Sequence, residues 1–478
     1  MSVEIAVTMD PKLTPKLRER RKSPVIKHDT LFLYSSVVTA ELLFVPMGAS
    51  MVWTSPVIGK LVSNDTEINP IGRQISILEV SMLTGIPELT NIIGLLFVTK
   101  LADVIGRKRY LLLAGAVMLI SGIGLAFSNK IAYMILARCA FGFPGVPSVI
   151  PVYIAEICED LNRGKFGCYS GIFHQIGNLF GFVIGPILSV KYYTLVITAP
   201  ALIFIILFLT MPESPVYLLK HGNEEECKVS LKRLRSNKTD QEIDMDLEKL
   251  KKQLENEPKG KVTDLFKKRE HIIGLLLGFL PVLIKYCSGV TVLFMYLAPF
   301  FDSAETSLSG DLVAIIVAVF KISLFTVASF VVENFGRRKL ILISSCGTAL
   351  PLCALGVFFY LKHIESPALQ QLQWLPLTGL LITVSFFGLG LGPIPNYLVI
   401  DFFPADLRTV SSSIVNASGS VAAFALASLF PIVTGQFGTE WCVWWFSVNC
   451  VAGAILIYLF LPETKGKSLD EIQKMLER

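Results

Sequence analysis

Charge is scarce in this chain. Lys, Arg, Asp and Glu make up 17% of its 478 residues and hydrophobic residues 53%, where a soluble domain carries roughly 25% charged residues. Mean hydropathy is +0.60. A water-soluble fold could not hide so much apolar surface. The nine cysteines include no CxxC pair and no secreted disulfide spacing. Most lie inside apolar runs and read as small fillers. No nucleophile triad, cluster of metal ligands or phosphate-cradling loop appears, so neither an enzyme nor a cofactor is expected. The net charge of +5 comes from basic segments between apolar runs, and no nucleic-acid partner is expected. A cleavable signal peptide is missing too. The first apolar run is too long for an h-region and lacks a small-residue cleavage site, so it reads as a signal anchor.

What the chain does have is long apolar runs, and a pattern that occurs twice. Twelve runs approach the ~20 residues that a membrane span requires. The first is placed at 31–52, the fifth at 169–189, the tenth at 377–400 and the last at 443–461. Gly106-Arg107-Lys108-Arg109 recurs as Gly336-Arg337-Arg338-Lys339, Glu156…Arg163 as Asp401…Arg408, and Pro212-Glu213-Ser214-Pro215 as Pro462-Glu463-Thr464-Lys465. The order is the same in both copies. The expectation is an all-α membrane protein of twelve transmembrane helices in two six-helix pseudo-symmetric halves. Such a duplicated unit is the build of a transporter that rocks one half against the other. The expected divisions are a tail at 1–29, a first half at 30–212, a linker at 213–270, a second half at 271–461 and a tail at 462–478.

The linker is rich in both charge signs. Leu247, Leu250 and Leu254 stand at helical spacing between charges, which predicts short amphipathic helices. They read either as a solvated linker or as a helical plug beneath the cavity. Lys and Arg concentrate in the tails, the Arg107 loop, the linker and the Arg337 loop. That bias places both termini in the cytoplasm. Asn64-Asp65-Thr66 then lies outside, where Asn64 is a candidate glycosylation acceptor.

Each half offers acids (Glu156 and Glu213; Asp401 and Glu463) and bases (Arg107 and Arg163; Arg337 and Arg408) at helix ends on one face. Arginine forks match carboxylates in bidentate fashion. Such pairs would clamp helix ends in one conformation and release them in another. Exposed, each is worth only about 0–1 kcal/mol, which suits a gate between states of similar energy.

These motifs carry a resemblance. Asp103-Val104-Ile105-Gly106-Arg107-Lys108 is similar to a D-R-x-G-R-[RK] loop, with Val104 in place of Arg, and Glu333 to Arg338 is its second copy. Arg138-x-x-x-Gly142, Pro151 to Glu156, Arg163-Gly164, Pro212 to Pro215, Gly392-Pro393-Ile394-Pro395 and Pro462 to Lys467 complete the set. Over nearly its whole length the chain resembles the sugar-porter branch of the major facilitator superfamily. The Trp53-Thr54-Ser55-Pro56 and Trp374-Leu375-Pro376-Leu377 stretches look most like insect trehalose and glucose facilitators. The resemblance implies alternating-access sugar movement in the cell (plasma) membrane, without a metal, nucleotide or covalent step. The implied partners are a small sugar and the lipid bilayer; the oligomeric state is not readable.

The chain departs from that pattern where sugar would bind. Gln175 in the fifth helix and Ser288-Gly289 in the seventh match family positions. Lys285 and Tyr286 stand where two Gln are expected, Thr291 where an Asn is expected, Lys321 at an eighth-helix Asn position and Asn396 in place of a Trp. Gln175, Lys285, Tyr286, Thr291, Lys321 and Asn396 are therefore the candidate substrate-binding residues. A lysine at mid-membrane costs about 2.5–3.5 kcal/mol unless paired or wetted. Three readings stay open: the lysines pair with Glu41 or a helix end, bind an anionic substrate, or perturb sugar recognition. In proton-driven relatives a first-helix Asp pairs with the fourth-helix Arg. Arg138 is present, but Ser50 stands at the Asp position, and Glu41 is about 13.5 Å away along a helix. Facilitative uniport is the expectation. The alternatives to a hexose or trehalose-like transporter are a sugar sensor with little flux and a carrier of an anionic substrate.

Overall fold

The computed structural model describes residues 30–159, 169–255, 265–306, 308–403 and 407–463, with isolated positions beside them. The two expected tails lie almost wholly outside these residues. Eight helical stretches are long and apolar enough to span a membrane, and the bent pair Ile77–Leu96 and Val98–Ile105 makes a ninth. Helices Tyr169–Ile184 and Gly310–Phe335 are two more. The interrupted stretch Leu375–Leu391 followed by Ile394–Phe402 is the last. Among the described residues the count is thus twelve.

The first span runs from Leu31 to Val62, ten residues beyond the expected 52. The polar stretch Trp53-Thr54-Ser55-Pro56 interrupts the apolar run after Val52. In the fold Lys60 sits on the helix, and its ammonium donates to the Gly185 and Leu188 carbonyls at 2.6 and 2.5 Å. It thereby satisfies carbonyls that the end of the fifth helix leaves open.

Beside the bent second span, four spans are broken among the described residues, and they form two pairs related by the repeat. The first helix shifts at Leu42–Leu43 and at Val52–Trp53. Its counterpart, the seventh, breaks at Gly289, where φ is +73°, between Arg269–Cys287 and Val290–Met295. The fourth breaks at Gly145, φ +56°, between Ile131–Gly142 and Val146–Ile157. Its counterpart, the tenth, passes through a π-helical turn at Phe387–Leu391 before Pro393. Interruptions at matching places in two halves mark where a transporter binds its solute, and π turns concentrate at functional sites.

Between the halves the linker forms helices Pro215–Lys220, Glu224–Leu234 and Asp240–Glu255. They share a small apolar core of Leu218, Cys227, Leu231, Ile243 and Leu247. Thr30 Oγ1 donates to the Leu234 carbonyl at 2.6 Å, and Ser230 Oγ to the Glu213 carbonyl at 2.8 Å. This segment is docked beneath the first half rather than loosely solvated.

Candidate functional site: a cleft between the halves and its charged mouth

The two halves meet tightly on the Asn64 face. Thr54 Oγ1 donates to the Met295 carbonyl at 2.9 Å, and the Ala298 amide donates to Ser55 Oγ at 2.8 Å. These bonds tie the far end of the first helix to that of the seventh. On the basic face the halves stand apart. A cavity of about 1190 Å³ opens there, lined by Ser148, Val149 and Glu156 of the fourth helix, by Lys249 and Leu250 of the linker, and by Val410, Ser413 and Ile414 of the eleventh helix. The conformation is open towards the basic face and shut towards the other.

The candidate ligands stand on the fifth, seventh and eighth helices, and none of them is among the residues that line this cavity. Gln175 is buried, and its side-chain oxygen accepts from Asn178 Nδ2 at 2.9 Å. Lys285, Tyr286, Thr291 and His174 are half-buried. Lys321 is 7% exposed, and its Nζ lies 3.6 Å from the centroid of Phe294. The side chain of Asn396 lies outside the described residues. Glu41 is fully buried and accepts from Ser170 Oγ at 2.7 Å; of the three readings of the lysines, a pair with Glu41 is not what the fold forms.

Arg138 is 2% exposed. Its guanidinium donates to the Ser50 carbonyl at 2.8 Å, to Ser50 Oγ at 3.0 Å and to the Leu83 carbonyl at 3.1 Å. Glu88 of the second helix, which the motif reading passed over, acts electrostatically on both Arg138 and Tyr286. Its signal was present in the sequence: an ionisable residue inside an apolar run is a functional candidate by default.

At the mouth the first-half charges form one network. Arg107 Nε lies 2.9 Å from Glu156 Oε2, and its Nη2 lies 2.9 Å from Asp103 Oδ1. Ser214 Oγ donates to Glu156 Oε2 at 2.5 Å. Arg107 and Glu156 side chains are 7% and 13% exposed, so the weak exposed pair expected from sequence is a largely buried one. Glu213 does something else. It accepts the Lys108 amide at 3.0 Å and so caps the N-terminus of the third helix, where a carboxylate meets the positive helix end. Glu463 repeats this in the second half, accepting the Arg337 and Arg338 amides at 3.0 and 3.2 Å. Arg408 Nε donates to the Phe403 carbonyl at 2.9 Å. Arg163 and the side chain of Asp401 lie outside the described residues. Asn64 is exposed.

The linker adds a further cluster at the mouth. Asp246 accepts from Arg235 and, at 2.8 Å, from Lys238, which also reaches Glu159 at 2.6 Å. Burial works to raise the Asp246 pKa, but the bonds and charges of Lys238 and Arg235 outweigh it and hold the carboxyl below its ordinary value. Burial likewise opposes the charge on Lys238, and its bonds to Asp246 and Glu159 prevail and raise it.

Comparison with known proteins agrees with this architecture. Residues 30–476 match the family model described as "Sugar (and other) transporter". The chain is 27% identical over 456 residues to a facilitated trehalose transporter, Tret1, of Polypedilum vanderplanki, covering 93% of this chain and 89% of that one. It is 28% identical to the Tret1 of Aedes aegypti, spanning 98% of this chain and 58% of that relative. The inward-open xylose transporter XylE of E. coli superposes with a TM-score of 0.75 at 21% identity, over 93% of this chain and 99% of that one; this likeness is one of fold. The chain belongs to the sugar (and other) transporter family, and it is a multi-pass membrane transporter with the major facilitator fold and not an enzyme.

Proposed function

We propose that the protein moves a sugar across the plasma membrane by facilitated, alternating-access diffusion. The observation that carries this reading is the cleft itself: open on the basic face, sealed opposite by the Thr54–Met295 and Ser55–Ala298 bonds, and flanked by broken helices in matched pairs. Relatives named as trehalose transporters make a hexose or a trehalose-like disaccharide the first solutes to try. Gln175, Lys285, Tyr286, Thr291, Lys321 and Asn396 are the proposed solute contacts. Arg107, Glu156, Arg163 and Glu213, with Arg337, Asp401, Arg408 and Glu463, are the proposed gate at the cytoplasmic face. The termini would lie in the cytoplasm, the halves would span 30–212 and 271–461, the linker 213–270, and Asn64 would face outside and take a glycan.

The test is uptake of labelled glucose and trehalose into proteoliposomes. Saturable entry that stops at equal inside and outside concentrations is the expected result. Background uptake of both, with the purified protein monodisperse, would count against transport.

A further inference from the structure

We propose that Ser344 is a positioning residue of the transport cycle: its hydroxyl holds the bend of the tenth helix that keeps the cleft open on the basic face. The proposal rests on the alternating-access reading. Ser344 is fully buried on the ninth helix, Arg337–His363. Its Oγ donates to the Phe386 carbonyl at 2.6 Å and accepts from the Leu391 amide at 2.8 Å. That carbonyl and that amide are the two ends of an i→i+5 pair, the spacing that defines a π turn, and they bracket the turn at Phe387–Leu391. A side chain inserted into the ladder of a helix bends it.

The clasp depends on a close approach. A Cβ built on Gly390 would lie 2.5 Å from the Leu340 carbonyl oxygen and 2.9 Å from Ser344 Cβ, so bare backbone at Gly390 lets the turn reach the hydroxyl. The neighbouring Ser345 is buried too, yet its hydroxyl makes no hydrogen bond among the described residues.

The first half is built differently. Counted from the matched Arg107 and Arg337, the counterpart of Ser344 is Ala114. The fourth-helix break is met instead by Tyr110 of the third helix, Arg107–Ala126, whose hydroxyl donates to the Pro144 carbonyl beside Gly145. Of these two matched breaks, the tenth-helix one alone has a side chain tied to both its sides among the described residues.

The bend bears on the mouth. Past the turn, Val399 of the inner stretch Ile394–Phe402 packs on Gly278 of the seventh helix, where Val415 of the eleventh also arrives; both lie 3.4 Å from a Cβ built there. Beside Val415, the residues Val410, Ser413 and Ile414 line the cavity. A change of bend would carry this wall of the mouth with it.

The experiment compares the full-length protein and its variants in lipid nanodiscs by hydrogen exchange. Ser344→Ala should close the mouth and loosen the opposite seal. Exchange at 410–414 and at Val146–Ile157 should slow at least threefold, and exchange at Thr54–Val62 and Val290–Met295 should quicken by as much. Ser344→Cys keeps a weak donor and acceptor; it should shift both faces the same way by less, and it carries the test if Ser344→Ala does not fold. Ser345→Ala should match the unaltered protein. Unchanged exchange in the folded Ser344 variants overturns the proposal. So does quicker exchange along the tenth helix without the reciprocal change, which marks a merely structural role, or an equal shift in Ser345→Ala. Uptake of labelled glucose and trehalose separates the two readings. From the Asn64 face, KM and maximal rate should both fall in Ser344→Ala, because the state open to that side is more populated and slower to leave. Background uptake by the unaltered protein, with the reciprocal exchange shift present, would sink transport and leave the clasp standing. Saturable uptake that Ser344→Ala leaves unchanged in both KM and maximal rate would do the reverse.

Discussion

The Glu213 carboxylate accepts the backbone amide of Lys108 at 3.0 Å, and Gly106 makes room for it. Gly106 has φ +101°, and a Cβ built there would lie 2.3 Å from Glu213 Oε2. In the second half Gly336 has φ +87°, and the gap to Glu463 Oε2 is 2.9 Å. The Gly-Arg motif is therefore first a hinge for a helix cap, with the arginine charge added to it. Gly106→Ala should destabilise the protein by about 1–3 kcal/mol through backbone strain and a displaced cap. Gly336→Ala should cost less, because its carboxylate stands further off. Thermal unfolding in detergent checks the order; equal losses, or none, would contradict the capping account.

Arg107 and Glu156 make the prediction for the gate. Both are largely buried, so Arg107→Ala leaves the Glu156 carboxylate, among the described residues, with the Ser214 hydroxyl and the more distant charge of Lys220. Removing one member of a buried pair costs about 3–5 kcal/mol, more than an exposed clamp would. Glu156→Gln together with Arg107→Met should recover part of that stability while transport stays slow. Unfolding midpoints and initial uptake rates at matched membrane levels test this. Full transport in Arg107→Ala would remove the residue from the gate.

The span count and the two copies of charged motifs were legible in the sequence because apolar length and motif order survive without coordinates. The end of the first span was not, because the polar stretch Trp53-Thr54-Ser55-Pro56 interrupts the apolar run, and the partners of Lys60, the Gly185 and Leu188 carbonyls, are brought to it by the fifth helix. The helix caps made by Glu213 and Glu463 were not legible for a similar reason. A carboxylate near arginines suggests an ion pair, and only the approach of a helix N-terminus reveals a cap. Glu41 looked available to the lysines, and its burial against Ser170 depends on how the first and fifth helices rotate about their axes.

The linker should respond to acid. Asp246 has a folded pKa below its ordinary carboxylate value, so its contribution is fully present above that value and is lost as pH falls through the depressed one. Lys238 has a raised pKa, so its share persists until pH climbs past the ordinary lysine range. Docking of the linker should hold from about pH 5 to 9 and loosen below roughly pH 4. Asp246→Asn should loosen it at neutral pH, by roughly 1–2 kcal/mol given partial exposure. Hydrogen exchange of the Asp240–Glu255 helix is the readout, and an exchange rate indifferent to both changes would show that the apolar contacts alone hold the helix.

Glu88 makes the last prediction, on energy coupling. It is a carboxylate inside an apolar span and acts on Arg138, which invites the idea of a proton carrier. The hydrogen bonds argue otherwise. Arg138 spends its donors on Ser50 and on the Leu83 carbonyl, all uncharged acceptors, and among the described residues no ion pair joins it to Glu88. The arginine therefore does not need a carboxylate to come and go for its bonds to be made, and proton release from Glu88 would not by itself free it to move. Uptake should equilibrate and not concentrate, with or without an inward proton gradient. Glu88→Gln should leave the final level unchanged and lower the initial rate several-fold, because Arg138 loses a nearby opposite charge. Imposing a pH gradient across proteoliposomes and following the solute to its plateau decides the matter. Accumulation above the outside concentration that vanishes in Glu88→Gln would make this residue the proton carrier and the protein a symporter.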